Sequence, residues 1–550
     1  MNTESIAEAL KLTAQLQELH GENPFKVKAL ANAAYRLDKS DVDLSGKSME
    51  ELSAMEGIGK GIAAKIYELQ TTGKLKELED VLAITPAGVI EMLHIKGIGP
   101  KKVGQLWKEL GVESPGELLY ACNENRLVSL KGFGEKTQAA VKKYIEFSME
   151  SKGKFHYAAC EGIALAVVEF LKKQTGTDLV SLTGAIRRKE NIIEVIEVVA
   201  AAEEKKTKLP QFENPKNIPV KIYNCTEEEF FEVLFRTTGS AEHLKQLDEL
   251  SYRGDAHPES EEAIYEGYEM DYIEPELREG RGEIELAQNF KLPKLIEETD
   301  LKGILHNHSK YSDGMNSLKQ MAERCRELGY SYFGICDHSQ SAFYANGMKP
   351  ETVLEQQLEI DALNKSMALQ QKGGQAFKIL KGIESDILND GSLDYKEDIL
   401  KTFDFVVASV HSNLKMDEEK ATTRLIKAIE NPYTTILGHP TGRLLLSRAG
   451  YPINHKKVID ACAANGVVIE LNAHPYRLDI DWTWIPYCIE KNVMISINPD
   501  AHVTEGLLDL HWGIASARKG MLTKEMCLNA MTLEEITTWL EKKLGVRNTN

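Results

Sequence analysis

At 550 residues the chain is too long to close around one hydrophobic core, and three or four domains are expected. With 42% apolar and 27% charged residues and no apolar run near the roughly 18 residues of a membrane helix, the composition fits a soluble globular protein and excludes a membrane-spanning one. The formal net charge of −18 argues against nucleic acid only as an average: residues 1–150 hold 19 Lys and Arg against 22 Asp and Glu, whereas 241–300 hold 6 against 18.

The N-terminal stretch MNTESIAEALKLTAQLQEL alternates charge with apolar residues as an amphipathic helix does, without a secretory signal. The eight cysteines are scattered with no C-x-x-C pair, which favours reduced thiols in a cytoplasmic setting. The first 150 residues are helical by pattern and repeat one element three times: MEGIGKGIAAKI from Met55, IKGIGPKKVGQL from Ile95 and LKGFGEKTQAAV from Leu130. Each reads apolar-x-Gly-apolar-Gly and runs into an amphipathic helix. The glycines Gly57 and Gly59, Gly97 and Gly99, Gly132 and Gly134 permit a tight turn that aims backbone N–H groups outward at the start of that helix. Such a turn binds phosphate without reading a base. A single copy is equally an ordinary turn; three copies followed by Lys60, Lys101, Lys102 and Lys136 predict sequence-independent binding to a DNA backbone.

From about 155 to 235 the pattern becomes mixed α/β, with GIALAVVEFLKKQ as a helix and DLVSLTGAIRRKE, NIIEVIEVVAAA and NIPVKIYNC as strands. A turn-rich, acidic stretch ending in EPELREGRGEIELAQN reads as a small subdomain and a linker that reaches about residue 300.

Beyond residue 300, short apolar strand-like runs end one after another in a candidate metal ligand: GILHNH, FGICDH, ILKGIE, FVVASVH, TTILGH and VMISINPDAH, with VVIELNAH as a further strand. Amphipathic helical stretches separate them. Seven strands alternating with helices, their polar residues gathered at the C-terminal ends, predict a parallel α/β barrel with its site at that mouth. Imidazoles and carboxylates ending several strands can hold two or three divalent ions, and His-x-His on a strand would put both rings on one face. Such ions together steady the attacking and leaving oxygens of an in-line phosphoryl displacement. Nine of the 14 histidines lie after residue 300, a clustering that unrelated surface histidines would not produce at successive strand ends.

These motifs resemble the PHP domain, the polymerase and histidinol phosphatase family of metal-dependent phosphoesterases, a distorted (β/α)7 barrel with a trinuclear site. The resemblance covers residues 303–550 and implies His306, His308, Asp313, His338, Glu384, His411, His439, Asp500 and His502 as metal ligands and catalytic residues. Asp337, Arg443, Arg477 and His474 are candidates to support those ligands or to contact phosphate, and each of the first three reads equally as a structural ion pair. The whole chain, in its order of parts, is similar to the bacterial X-family DNA polymerases. That implies a helix-hairpin-helix domain at 1–80, a fingers-like helix-hairpin-helix domain at 81–150, a palm at 151–235, a thumb-like subdomain and linker at 236–302, and the PHP domain at 303–550. LTGAIRRKE corresponds to the family's glycine-serine strand motif with Ala185 in place of serine, TTGS (237–240) to its nucleotide-contacting turn, and EPELREGRGEIE to the segment before its PHP domain.

The departures concern polymerisation, which needs two carboxylates one residue apart on a strand and a third on its neighbour to hold two magnesium ions. In IEVIEVV the two positions read as Glu194 and Ile196, and Lys221 in PVKIYN stands at the third, so the polymerase site is expected to be lost. A pairing of Glu194 with Glu197 would not restore it, because residues three apart on a strand face opposite ways. Lys65 in GIAAKI sits where related eukaryotic repair polymerases carry a Schiff-base lysine for abasic-site lyase chemistry, although an exposed helical lysine is also an ordinary ion-pair partner. The expected function is a DNA-binding, metal-dependent phosphodiesterase acting as a 3′–5′ exonuclease or 3′-end processor in repair. Its cofactors would be two or three divalent ions, manganese or zinc, with magnesium or iron as alternatives. Its partner would be gapped, nicked or 3′-ended DNA, with no membrane and a monomeric chain. Three alternatives are a PHP phosphatase for small phosphomonoesters, a polymerase that still extends primers, and a non-enzymatic DNA-end binder with structural metals.

Overall fold

The computed structural model describes residues 3–38, 44–95, 97–128, 130–150, 153–209, 212–370 and 376–547. The chain divides into two compact units, Met1–Phe147 and Ser148–Asn550. Among the described residues no helix is long and apolar enough to cross a membrane, and all eight cysteines are free thiols.

Among the described residues the first unit has helices and turns but no strand. Its opening helix, Thr3–His20, buries Ile6, Leu10 and Ala14, apolar positions spaced four residues apart on one face, against Leu30 and Ala34 of the helix Pro24–Asp38. The three glycine repeats adopt one geometry. The leading glycine is left-handed each time, with φ of 80° at Gly57, 99° at Gly97 and 89° at Gly132. The apolar residue after it is buried and closes the turn, its N–H bonded to the carbonyl three residues back: Ile58 to Met55, Ile98 to Ile95, Phe133 to Leu130. Helices then start at Lys60, Pro100 and Glu135. The apolar residue of each turn is thereby anchored in the core, while the glycine after it and the lysine in the first turn of the new helix (Gly59 and Lys60, Gly99 and Lys101, Gly134 and Lys136) are exposed.

In the second unit, strands β1 (Phe155–His156) and β3 (Ile192–Ile193) pair antiparallel, and β2 (Val180–Thr183), β4 (Ile196–Ala200) and β5 (Val220–Asn224) form a sheet in the order β2-β4-β5. The helix Tyr157–Thr175 covers one face through Cys160, Ala164, Val167 and Leu171, packed with Ile196, Val198 and Ala200. The other face carries Val199 against Phe230 and Leu234 of the helix Phe230–Thr238. Two of the expected strands are shorter than their apolar runs. Gly184, at φ 63°, ends β2 and starts the helical turn Gly184–Arg187, and the chain breaks at Glu194–Val195 between β3 and β4. The acidic stretch 241–300 is packed: Phe235, Leu247, Ile264, Tyr265, Ile273 and Ile284 form its core.

The remaining seven strands are β6 (Gly303–Ile304), β7 (Tyr332–Ile335), β8 (Lys378–Asp386), β9 (Phe405–Ser409), β10 (Ile436–Leu437), β11 (Val468–Asn472) and β12 (Ile495–Asn498). All are parallel and neighbours in sequence order, as strand-helix-strand crossovers require. A bridge between Asn307 and Ala501, with the His308 N–H donating to the Ala501 carbonyl (2.9 Å), joins the chain ends beyond the first and last strands and nearly closes a barrel. Alternate strand residues divide between an inner core (Tyr332, Leu380, Phe405, Val407, Ile436, Val468) and an outer one shared with the helices (Phe333, Ile335, Ile379, Val406, Ile469, Ile495). Gly334 and Gly382 leave room for the inner Phe405 ring, which a Cβ at either position would meet at 2.6 or 2.4 Å.

Candidate metal centre

The C-terminal ends of the barrel strands bring a set of imidazoles and carboxylates into one buried space. Ligand atoms of His308, Asp313, His338 and His502 lie within 4.8 Å of one another; so do those of His306, His308 and Asp500, and those of His338, Glu384 and His411. His439 joins them with its Nε2 3.0 Å from Glu384 Oε1. The sharing of His308 and His338 makes these groups one continuous centre. Strand alternation does not aim the first two rings, as the His-x-His spacing suggested. β6 ends at Ile304, and His306 takes a left-handed backbone (φ 58°), a kink that brings its ring to 5.4 Å from that of His308. Asp500, beyond β12, is left-handed too (φ 53°). Such conformations in non-glycine residues are costly and persist where the surroundings impose them.

The electrostatics of the cluster favour added positive charge. Burial raises the Glu384 carboxyl, but His411, His306 and His338 around it outweigh that and hold it well below its usual range. Asp313 and Asp500 are likewise held low, against burial, by His502 and His338 in one case and by His306 and His308 in the other. Burial lowers His306 and His338, yet Glu470, Glu384 and Asp500 carry the first above its ordinary value, and Asp313 and Glu384 carry the second up to about 10. Whether metal ions fit can be read from unsatisfied atoms. Nε2 of His306, Nδ1 of His308, both ring nitrogens of His338 and Oε2 of Glu384 are buried and make no well-aligned hydrogen bond, His338 Nδ1 and Glu384 Oε2 meeting only as an ion pair at 2.9 Å. Buried polar atoms are ordinarily paired. Unbonded donor atoms converging on one space, on imidazole and carboxylate ligands, suit divalent cations.

Three of the candidate ligands, His306, His439 and His411, are steadied from behind. Glu470 Oε1 accepts from His306 Nδ1 (2.7 Å) and from Asn498 (3.0 Å), while its Oε2 accepts from the His439 N–H (2.8 Å). Asp386 Oδ1 accepts from His411 Nδ1 (2.6 Å). Sequence reasoning missed both. Glu470 lies inside the apolar run VVIELN, where a fully buried carboxylate was the available signal. Asp386 stands two residues after Glu384 on β8, on the same face by strand alternation.

The four support candidates divide. Asp337 accepts from the Ser309 N–H, both Ser309 and Ser312 hydroxyls, and Gln356, so it shapes the loop that carries His308 and Asp313. This commits it to the loop and away from substrate phosphate. Arg443 donates to the carbonyls of Arg477 and Leu478 and to Asp481, so it too serves a loop. Arg477 does face the centre: it is buried, with Nε 3.9 Å from Asp500 Oδ2, and with burial it holds His439 low. His474 serves its own turn, its Nδ1 accepting from the Tyr476 N–H and its N–H donating to Asn472 Oδ1.

Elsewhere, Lys60, Lys101 and Lys136 are exposed at the three hairpins, whereas Lys102 lies over the Phe133 ring at 5.0 Å. Lys65 pairs with Glu77, which also accepts from Gln17. Burial lowers its ammonium. In the three-stranded sheet the register corrects the assignment of the family's carboxylate positions. Ile196 faces the core under helix Tyr157–Thr175, and Glu194 is exposed in the break, 3.3 Å from Lys154. The residue in register with Lys221 is Glu197, which accepts from the Tyr223 hydroxyl (2.7 Å). The register therefore puts Glu197, and not Ile196, on the face of Lys221. The break at 194–195 interrupts the alternation on which the shift by one residue rested.

Residues 1–75 match the model of the helix-hairpin-helix domain, residues 89–143 that of the SAM-like helix-hairpin-helix tandem, and residues 305–474 that of the PHP domain. Over 98% of its length the chain is 34% identical to the DNA polymerase/3′-5′ exonuclease PolX of Bacillus subtilis (strain 168), spanning 100% of that protein. Over 30% of its length it is 31% identical to a protein of Thermoanaerobacter sp. (strain X514) named a probable phosphatase, covering 69% of it. Among solved structures, the histidinol phosphate phosphatase of Lactococcus lactis subsp. lactis Il1403, complexed with zinc, L-histidinol and phosphate, matches at 16% identity and a TM-score of 0.32, over 40% of this chain and 93% of that one.

Proposed function

The chain belongs to the family of PolX, the DNA polymerase/3′-5′ exonucleases, and from that premise we propose that it is a metal-dependent 3′–5′ exonuclease whose polymerase site is inactive. The observation that carries the nuclease reading is the continuous centre of buried imidazoles and carboxylates with unbonded atoms facing one space. His306, His308, Asp313, His338, Glu384, His411, His439, Asp500 and His502 would hold two or three divalent ions, manganese or zinc by donor type, with magnesium or iron as alternatives. Bound there, such ions supply Lewis-acid stabilisation of an in-line phosphoryl displacement and an acidic water. The protein's part is orientation. Glu470 and Asp386 fix the tautomers of His306 and His411 so that Nε2 of each faces the centre. Arg477 adds a fixed cation beside Asp500 that suits a phosphodiester oxygen.

The three hairpins, with exposed Lys60, Lys101 and Lys136, serve as sequence-independent grips on gapped, nicked or 3′-ended DNA. The palm reading rests on pairing. Glu197 of β4 pairs in register with Lys221 of β5, so a cation takes the place of the carboxylate that a two-magnesium site would need on the neighbouring strand. The arginines of the GAIRR motif are also occupied, Arg187 by Glu261 and Thr238 and Arg188 by Glu279 and the Thr238 carbonyl. A cytoplasmic monomer with domains bounded near residues 80, 150, 235 and 302 completes the proposal, with Lys65 as an ion-pair partner of Glu77 in place of a lyase nucleophile. The phosphatase reading is separated by comparing release of inorganic phosphate from a nucleoside monophosphate with release of nucleotides from a 5′-labelled oligonucleotide in Mn²⁺. The nuclease reading expects the second to exceed the first in kcat/KM by at least about a hundred-fold; the reverse order would make the chain a phosphatase.

A further inference from the structure

At the mouth of the metal centre, the turn after β7 carries an aromatic pair. Phe343 is 80% exposed, and its ring meets that of Tyr344 edge-on with centroids 6.2 Å apart. Tyr344 in turn lies 6.2 Å from the ring of His338 and 6.3 Å from that of His411. Two ring contacts therefore separate Phe343 from metal-ligand candidates, a reach of a few nucleotides at about 3.4 Å of stacked strand each.

A lone exposed apolar side chain needs no explanation on most surfaces. This one stands on a turn built to hold it. Ser341 donates its N–H to Asp394 (2.7 Å) and its hydroxyl to Asp386 (3.0 Å), and Gln340 donates to the Asp394 carbonyl. The Met348 N–H donates to the His338 carbonyl (2.8 Å), and Gly347 passes so near the Ser339 carbonyl that a Cβ would meet it at 1.9 Å. Asp386 is also the carboxylate that orients His411. One side chain thus locks a ligand of the centre and the turn bearing the exposed ring in a single arrangement.

Resting on the exonuclease reading, we propose that Phe343 is a stacking platform for a nucleobase at the 3′ end of the strand, and so a determinant of specificity for nucleic acid over small phosphate esters. The backbone-binding hairpins cannot supply this, because they contact phosphate alone. An aromatic face suits an exonuclease that must accept every terminal base, since each base offers a π-face. Arginine and lysine grips would bind the strand without fixing which phosphodiester enters the centre, whereas a stacked base sets the register.

The test uses the full chain in Mn²⁺ with two single-stranded substrates, one of ordinary sequence and one whose last three 3′ residues are tetrahydrofuran analogues lacking a base. Phe343→Ala should raise KM for the ordinary strand roughly ten-fold with little change in kcat, and Phe343→Trp should restore it. On the baseless strand the wild type should already show the raised KM, and Phe343→Ala should add nothing to it. Equal effects of Phe343→Ala on both strands, or no effect on either, would overturn the platform while leaving the nuclease intact. Failure of the wild type to shorten either strand would instead overturn the nuclease reading and the platform with it.

Discussion

The second unit contains two sheet regions rich in charge, one mixed and one parallel, and they use that charge in opposite ways. In the three-stranded sheet and the acidic subdomain beside it, charge is matched with charge. Glu197 faces Lys221, Glu261 holds Arg187 and the fully buried Arg278, and Lys519 reaches Glu190 (3.2 Å) and Glu279 (2.7 Å). At the barrel mouth, buried nitrogens and a carboxylate oxygen are left without hydrogen bonds and face a common space. Burying charge is costly unless it is compensated. The first region has its charges compensated by side chains, one of them Lys519 from the C-terminal domain, and becomes a scaffold, whereas the second leaves compensation to ligands and becomes a site.

The contrast can be broken most forcefully at Glu384, which lies within 3.6 Å of ring nitrogens of five histidines, His306, His308, His338, His411 and His439. Glu384→Ala should lower hydrolysis by about a thousand-fold or more, beyond the range of supporting residues, and reduce bound metal measured by mass spectrometry; activity within ten-fold of wild type would remove the centre from the mechanism. On the scaffold side, Glu261→Ala strands Arg278 and Arg187 and should cost about 3–5 kcal/mol in denaturant unfolding. The surviving folded protein should keep its hydrolytic rate, and a loss of rate without a loss of stability would contradict the division of roles. Glu470→Gln keeps size but weakens the hold on His306 Nδ1 and the His439 N–H. Hydrolysis should drop about 10–100-fold and recover at high Mn²⁺.

The smallest effect is expected where the two regions meet. His156 of β1 is buried against the Tyr476 ring with Nε2 3.1 Å from the Leu445 carbonyl, and burial lowers its imidazole to about 4. The folded pKa lies below the unfolded value of about 6.5, so the unfolded chain takes up the extra proton. This residue therefore makes stability fall as pH drops from about 6.5 toward 4, by about 1.4 kcal/mol at pH 5.5. His156→Phe should flatten that part of the stability profile, and an unchanged slope would show that His156 does not set it.

How legible each region was follows from how local its signals are. The barrel strands are apolar over nearly every residue because both faces are covered, so a histidine or glutamate at the end of each run stands out in FVVASVH or TTILGH. The hairpins were equally plain, since a left-handed leading glycine followed by a buried apolar residue recurs three times. Glu470 and Asp386 were harder to see, because they occur within the same strands as the ligands or beside them, and which residue touches the ion depends on three-dimensional packing. Ile196 was read onto the face of Lys221, where the structure has Glu197, because the break at Glu194–Val195 gives no warning in IIEVIEVV. The Arg187–Glu261 pair spans 74 positions and leaves no periodicity to find.

The central claim, a working nuclease centre beside an idle polymerase sheet, is tested most directly on one gel. A 5′-labelled primer on a gapped duplex is incubated with the full chain, Mn²⁺ and all four deoxynucleoside triphosphates, beside the His308→Ala variant. The account predicts a shortened primer with the wild type, an unchanged primer with the variant, and extension with neither. Extension by either protein would contradict the reading of Glu197 and Lys221, and shortening that survives in His308→Ala would place the hydrolysis somewhere other than the barrel mouth.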